Sequence, residues 1–210
     1  FEYVTGSLTD VTFDVFAAED IKAADGVSED YFKADEKVGT ITTDSNGIAQ
    51  MGDLPVGKYY VKEVKTAHGY VLDKEPRYVD LSYRDQDTPV ITYDEKWQNA
   101  RQKVKVTVLK KEKDTERVLA GGVFGLYTSE DIKNAKGEVL LEKDSLIEQR
   151  VTDEKGQITF TADLPVDGKY YVKEIFAPDG FVTTEEVQEF TFEYAGEDQA
   201  EVSYDFTFEN

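Results

Sequence analysis

The heptapeptide Gly-Lys-Tyr-Tyr-Val-Lys-Glu occurs twice, at Gly57–Glu63 and at Gly168–Glu174. Around each copy the chain repeats itself: Glu63 and Glu174, Asn99 and Asn210, Phe13 and Phe124, and Asp20 and Asp131 all stand 111 residues apart. Two copies of one module therefore lie head to tail, and the fold must be one that about half the chain can build alone. The 210 residues suffice for two compact domains of about 100 residues, near the size of an immunoglobulin-like sandwich. The boundaries read as residues 1–101 and 102–210.

Within each copy the dominant period is two. Val104, Val106 and Val108 alternate with Lys105, Thr107 and Leu109; Tyr170 and Val172 alternate with Tyr171 and Lys173; Phe206 and Phe208 alternate with Thr207 and Glu209. Such alternation marks half-buried strands. Turn signals punctuate them at Asn46-Gly47, Lys155-Gly156, Asp167-Gly168, His68-Gly69 and Asp179-Gly180, so the chain reads as all-β with hairpins. One interruption recurs, Ala17–Gly26 and Thr128–Gly137. There Ser129 could cap a first turn carrying Glu130 and Asp131, and Gly137 could end it, which predicts a short connecting helix in each module. The junction Asn99–Lys103 holds neither Pro nor Gly, and so short a linker favours a stiff rod over two freely tumbling domains.

Charge and composition narrow the partners. Lys and Arg number 24 against 44 Asp and Glu, a net charge of -20, and both modules share the excess. A uniformly acidic surface repels phosphate backbones and anionic lipid, which excludes nucleic acid and membrane surfaces. With no cysteine, neither a disulfide framework nor a thiolate metal site can form. No apolar run is long enough to span a bilayer and the first residue is Phe1, so the chain reads as a piece of a longer protein without its targeting signals.

Strand parity isolates the chemistry. If Val104, Val106 and Val108 face the core, Lys110 is next on that face, while Lys111 points to water. The same alternation aligns Glu174 with Tyr170 and Val172, and Asn210 with Phe206 and Phe208. Three strands thus each end an inward row with one polar residue, and an unpaired buried Lys costs several kcal/mol, so the three are expected to meet. An amine, a carboxamide and a carboxylic acid in an apolar pocket are the reactants and catalyst of an amide transfer. Burial lowers the Lys pKa and raises that of Glu, placing a neutral nucleophile beside a protonated acid that can shuttle a proton to departing ammonia. Fixed neighbours supply the effective molarity that an unactivated amide needs.

These residues carry a family resemblance. Val106–Tyr127, Asp153–Phe181 and the closing Phe-Thr-Phe-Glu-Asn resemble the CnaB-type domain, the B-type repeat of Gram-positive collagen-binding surface proteins and pilins. Lys-Tyr-Tyr-Val-Lys-Glu-Ile-Phe-Ala-Pro-Asp-Gly-Phe is similar to that family's E-box, with Glu174 at its acidic position and Lys110 and Asn210 at its cross-linking positions. The resemblance spans nearly the whole chain. It implies two tandem immunoglobulin-like (prealbumin-like) β-sandwiches, and a spontaneous isopeptide bond between Lys110 and Asn210 with Glu174 as catalyst.

The first module departs from the pattern once. Glu63 and Asn99 are present, but the counterpart of Lys110 would fall just before Phe1, and no residue from Phe1 to Ile21 is Lys. The first strand is expected to be missing by truncation or disorder, with a strand supplied from elsewhere as the alternative. Other candidates read as structural. Asp44-Ser45-Asn46-Gly47 lacks the bidentate Glu of a calcium loop and reads as a hairpin turn; His68 reads as a solvated loop residue and Trp97 as core. No metal or cofactor is expected. The leading function is a stalk module of an extracellular, cell-wall-anchored adhesin or pilus, with neighbouring repeats as its partners. The alternative is direct binding of a host extracellular-matrix protein or glycan. Turnover catalysis is not expected, because the Glu acts only once.

Overall fold

A computed structural model describes residues 6–88 and 90–210. Two compact units emerge: one of Gln102–Ala195 with Gln199–Asn210, the other of residues 6–101 joined by Gly196–Asp198. No helix occurs among the described residues, and no helix is long and apolar enough to cross a membrane.

The second module is a two-sheet sandwich. β5 (Lys103–Lys111) is the middle strand of one sheet, paired antiparallel to β10 (Gln157–Phe160) and parallel to β13 (Glu201–Glu209). The facing sheet runs β12 (Val187–Thr191), β11 (Lys169–Phe176), β6 (Val123–Thr128), β9 (Leu146–Val151), all antiparallel. The alternation read from the sequence sets which side chains fill the space between: Val106, Val108, Phe124, Leu126, Ile158, Tyr170, Val172 and Phe208 are buried in one cluster. Tyr170 brings a hydroxyl into that core and satisfies it on the Pro165 carbonyl at 2.9 Å, as a buried phenol must be.

The first module builds only one of these sheets among its described residues. Its order, β2 (Lys37–Thr42), β1 (Thr12–Ala17), β3 (Lys58–Lys65), β4 (Arg77–Asp80), matches β9-β6-β11-β12 element by element. The segments corresponding to β10 and β13, residues 48–51 and 90–98, form no strand. The cause lies in the topology: β5 is the strand to which both β10 and β13 bond, and no strand corresponding to β5 stands among the described residues of the first module. The core shrinks accordingly to Val15, Ala17, Ile21 and Tyr59 with a partly exposed fringe. Phe1–Thr5, beside which the missing Lys was expected, lie outside the described residues.

The expected connecting helices are absent. In the second module the segment forms a hairpin, β7 (Ile132–Lys133) with β8 (Val139–Leu141). The Asn134 carboxamide oxygen accepts the Lys136 and Glu138 amides at 2.9 and 3.0 Å, and Gly137 takes φ +83°. In the first module Asp25 accepts the Val27 and Ser28 amides at 3.0 and 2.9 Å, beside the single bridge Ile21–Phe32. Asn and Asp side chains offer local backbone amides a non-helical partner, and a segment of about ten residues cannot offset the cost of helix nucleation. Ser129 caps nothing; its hydroxyl is buried with no partner.

The Asp44 and Asp153 segments are turns, as expected, but not hairpins: residues 48–51 form no strand, and β9 and β10 belong to different sheets. Asp44 Oδ1 accepts the Asn46 and Ile48 amides at 2.8 and 3.0 Å, and Asp153 Oδ1 the Lys155 and Gln157 amides at 2.9 Å each. The carboxylates are consumed by their own turns. Outside the cores, a cross-strand aromatic stack recurs: Phe16 on Tyr60, ring centres 5.0 Å apart, under Lys62, and Tyr127 on Tyr171, also 5.0 Å, under Lys173.

Candidate functional site

Three strands bring the predicted residues of the second module together. Lys110 ends the inward row of β5, and parallel pairing sets Phe208 of β13 opposite it, so Asn210 follows directly beside it. The Asn210 backbone is held on both sides, its amide donating to the Lys111 carbonyl at 3.2 Å and its carbonyl accepting the Lys113 amide at 2.7 Å. Glu174 arrives from the facing sheet, where β11 pairs it with Phe124. The Lys110 backbone is fixed in turn by the Gly156 carbonyl and the Leu119 amide, at 2.8 and 2.9 Å. Gly156 sits at φ +69°, and a Cβ there would stand 2.7 Å from the Lys110 carbonyl oxygen; the turn can close against Lys110 only because this residue has no side chain.

The amine and carboxyl of the resulting cluster are dry, while Asn210 is only part-buried. The side chains of Lys110 and Glu174 have no solvent exposure, and Lys110 Nζ lies 3.1 Å from Glu174 Oε1. Lys110 also donates to Asn210 Oδ1, while Asn210 Nδ2 donates to Glu174 Oε2 and Oε1 at 3.0 and 3.3 Å. Every pair of the triad is thus in contact. The Phe124 ring, 5.7 Å from Lys110 Nζ, packs on Phe208 with centres 5.0 Å apart and floors the site. Burial pulls the Lys110 ammonium below the usual lysine range, partly opposed by the Glu174 carboxylate.

One contact escapes the sequence. The Thr184 amide donates to Glu174 Oε2 at 2.9 Å, and the Asp73 amide donates to Glu63 Oε2 at 2.6 Å. Both donors lie ten residues after their Glu, so the contact belongs to the module. A main-chain donor leaves no mark in residue type, Thr in one copy and Asp in the other; only the equal spacing could have pointed to it.

The first module keeps two of the three groups. Glu63 is 4% exposed, and Asn99 Nδ2 donates to both its oxygens at 2.8 Å and to the Val71 carbonyl at 3.0 Å. Phe13 and Trp97, ring centres 4.9 Å apart, repeat the floor of Phe124 and Phe208. Burial raises the Glu63 carboxyl above its ordinary value, against the Asp73 amide and Asn99, which lower it. Among the described residues no Lys or Arg forms an ion pair with Glu63. Trp97 is half-buried rather than fully core, and its indole nitrogen is enclosed without a hydrogen-bond partner. His68 is exposed in the loop after β3. No cluster of His, Cys, Asp and Glu able to hold a metal occurs among the described residues.

The profile of the SpaA prealbumin-like fold domain matches residues 2–97 and again residues 104–206. The chain belongs to this prealbumin-like fold family. The two matched segments coincide with the two modules, in agreement with the resemblance carried by the E-box. A collagen adhesin of Staphylococcus aureus is 29% identical over 168 residues, which cover 73% of this chain and 13% of that protein. Among solved structures, the TIE protein of Bacillus anthracis is similar over 98% of this chain and 32% of its own, at 26% identity and a TM-score of 0.62. The chain therefore spans a minor part of either relative.

Proposed function

We propose that these modules are structural repeats of an extracellular Gram-positive adhesin or pilus-type protein, and that the second is locked by an isopeptide bond from Lys110 to Asn210. One observation carries the reading: a Lys, a Glu and an Asn, each from a different strand end, in mutual contact, with the Lys and Glu side chains sealed from water. Passing the shared proton from Lys110 Nζ to Glu174 Oε1 gives a neutral amine and a neutral acid, the form a dry pocket favours. The amine attacks Asn210 Cγ; the Nζ–Cγ bond forms as the Cγ–Nδ2 bond breaks. Glu174 delivers the proton to Nδ2, which leaves as ammonia, and recovers a proton from the attacking nitrogen. The Thr184 amide holds the carboxyl in place throughout. The reaction happens once per chain, so the module is its own substrate and not a turnover enzyme. Placement at the cell surface and association with neighbouring repeats rest on the family and on the adhesin relative. Intact mass of the purified chain tests the bond: one ammonia less than the sequence mass supports it, and the full sequence mass overturns it.

A second reading, direct binding to a matrix protein, is supported by the name of the collagen adhesin and by exposed Tyr78 and Tyr83. Solid-phase binding of the chain to immobilised collagen distinguishes it from a purely structural role.

A further inference from the structure

Strand parity leaves one more polar residue on an inward row, outside the cluster. On β12, Gln188 shares a face with buried Phe190, and on β4 its counterpart Arg77 shares a face with half-buried Val79. The two stand at the 111-residue spacing of the repeat and pair with Val172 and Val61, themselves counterparts. A polar side chain on an inward row needs a partner, and both find the same one. Gln188 Nε2 donates to the Thr207 carbonyl at 2.9 Å, and Arg77 Nη1 donates to the Lys96 carbonyl at 3.3 Å. Thr207 and Lys96 are counterparts too, and each lies three residues before the asparagine of its module, Asn210 or Asn99.

The place of this contact in the fold gives it a task. Among the described residues β12 and β13 are edge strands of the two facing sheets, so Gln188 crosses from the sheet that carries Glu174 to the strand that leads into Asn210. The ladder of β13 is with β5, in the sheet of Lys110, and that ladder does not fix the gap between the Asn210 carboxamide and the carboxyl of the facing sheet. Tyr204 ties the same two strands through the Thr191 carbonyl at 2.5 Å, but six residues before Asn210; Gln188 makes the tie nearer the asparagine. Gln188 Nε2 also donates to Glu186 Oε1 at 2.5 Å, which sets the rotation of its carboxamide. The first module shows the tie without the ladder: residues 90–98 form no strand, yet Arg77 holds the Lys96 carbonyl and Asn99 keeps both Glu63 oxygens at 2.8 Å. We propose that Gln188 is a positioning residue for the Lys110–Asn210 reaction, a side-chain N–H from the sheet of Glu174 that holds the last strand where Asn210 Cγ stands before the Lys110 amine. The role rests on the reading given for that pair. Gln188 exchanges no proton and forms no bond in the reaction; it acts on where Asn210 lies, and amide transfer between fixed neighbours is steep in that distance. The requirement is a donor of the right reach, met by a carboxamide in one module and by a guanidinium in the other.

The test refolds unlinked chain recovered from inclusion bodies, following folding by near-ultraviolet circular dichroism and bond formation by ammonia loss in intact mass. Gln188→Met keeps the side-chain length and removes the donor. It is expected to fold at the parent's rate and to lose ammonia roughly tenfold more slowly, the scale of one lost hydrogen bond and a fraction of an ångström of drift. Gln188→Arg, which copies residue 77, is expected to restore the rate to within about twofold of the parent. Ammonia loss in Gln188→Met as fast as in the parent, a slowing matched by an equal slowing of folding, or no recovery in Gln188→Arg overturns the positioning role. Those results leave the Lys110–Asn210 bond standing, because the parent's own ammonia loss reports it. A parent that keeps its full sequence mass after refolding overturns the bond and the positioning role together.

Discussion

Replacing Lys110 by Met removes the nucleophile and leaves an unbranched apolar side chain in the same slot. The variant keeps Glu174 with its Asn210 and Thr184 partners, the arrangement Glu63 has with Asn99 and Asp73. The proposed bond would close a loop between residues 100 apart in sequence, and cross-linking a loop of that length restricts the unfolded chain by about 4.7 kcal/mol in the chain-entropy account. For a domain of this size each kcal/mol moves the midpoint by about 4–8 °C, so the second module of Lys110→Met is expected to melt roughly 20–40 °C below the parent. Calorimetry is expected to resolve the two modules as separate transitions, and intact mass to show the bond in the parent alone. Removing one partner of a buried ion pair carries its own cost of about 3–5 kcal/mol. Lys110→Met with Glu174→Gln separates the effects, since neither variant is linked and only the single variant leaves a charge unpaired. If the double variant melts within about 5 °C of a parent shown by mass to be linked, about the effect of a single kcal/mol, the entropic argument is refuted.

Three further outcomes follow from the geometry. Thr184→Pro deletes the amide that holds Glu174 and is expected to slow bond formation on refolding, read as the time course of ammonia loss by mass; Thr184→Ala keeps the amide and should match the parent, and equal rates for all three count against the positioning role. Burial raises the Glu63 pKa in the folded state, so the folded module binds protons more tightly than the unfolded chain; its stability should fall as pH rises from the ordinary Glu value through the raised one, and Glu63→Gln should flatten that dependence in urea titrations of the first module. Gly156→Ala forces a side chain into a left-handed turn against the Lys110 carbonyl and is expected to destabilise the second module by about 1–3 kcal/mol in denaturant titration.

The sequence made some levels legible and hid others. Alternation in β5, β11 and β13 placed Lys110, Glu174 and Asn210 on inward faces because a sheet has only two faces, and a period of two assigns each residue to one of them. The 111-residue repeat then placed Glu63 and Asn99 by the same reasoning. What failed was local. Ala17–Gly26 and Thr128–Gly137 carry helix-cap residue types, but Asp25 and Asn134 bond backbone amides in turns, and residue type alone does not say which partner a short polar side chain will take. Trp97 was expected in the core, yet burial of an inward row also needs the opposite strand, and no strand corresponding to β5 stands among the described residues there.

The parallel pairing of β5 with β13 also bears on the order of folding. The central strand of that sheet is made first and one of its two partners last, so the pair forms only after a loop of about 90 residues has closed. The facing sheet and the β7–β8 hairpin depend on nearer contacts and can gather earlier. Parallel long-range pairing is intrinsically slow, and until it forms Lys110 has neither Asn210 nor the Phe208 side of its floor. Chemistry that needs all of these in contact cannot run ahead of folding. Under the proposed reaction, the released ammonia would act as a clock stopped only when the last strand is home, and a chain that misfolds upstream of β13 would keep a free lysine that mass measurement can count.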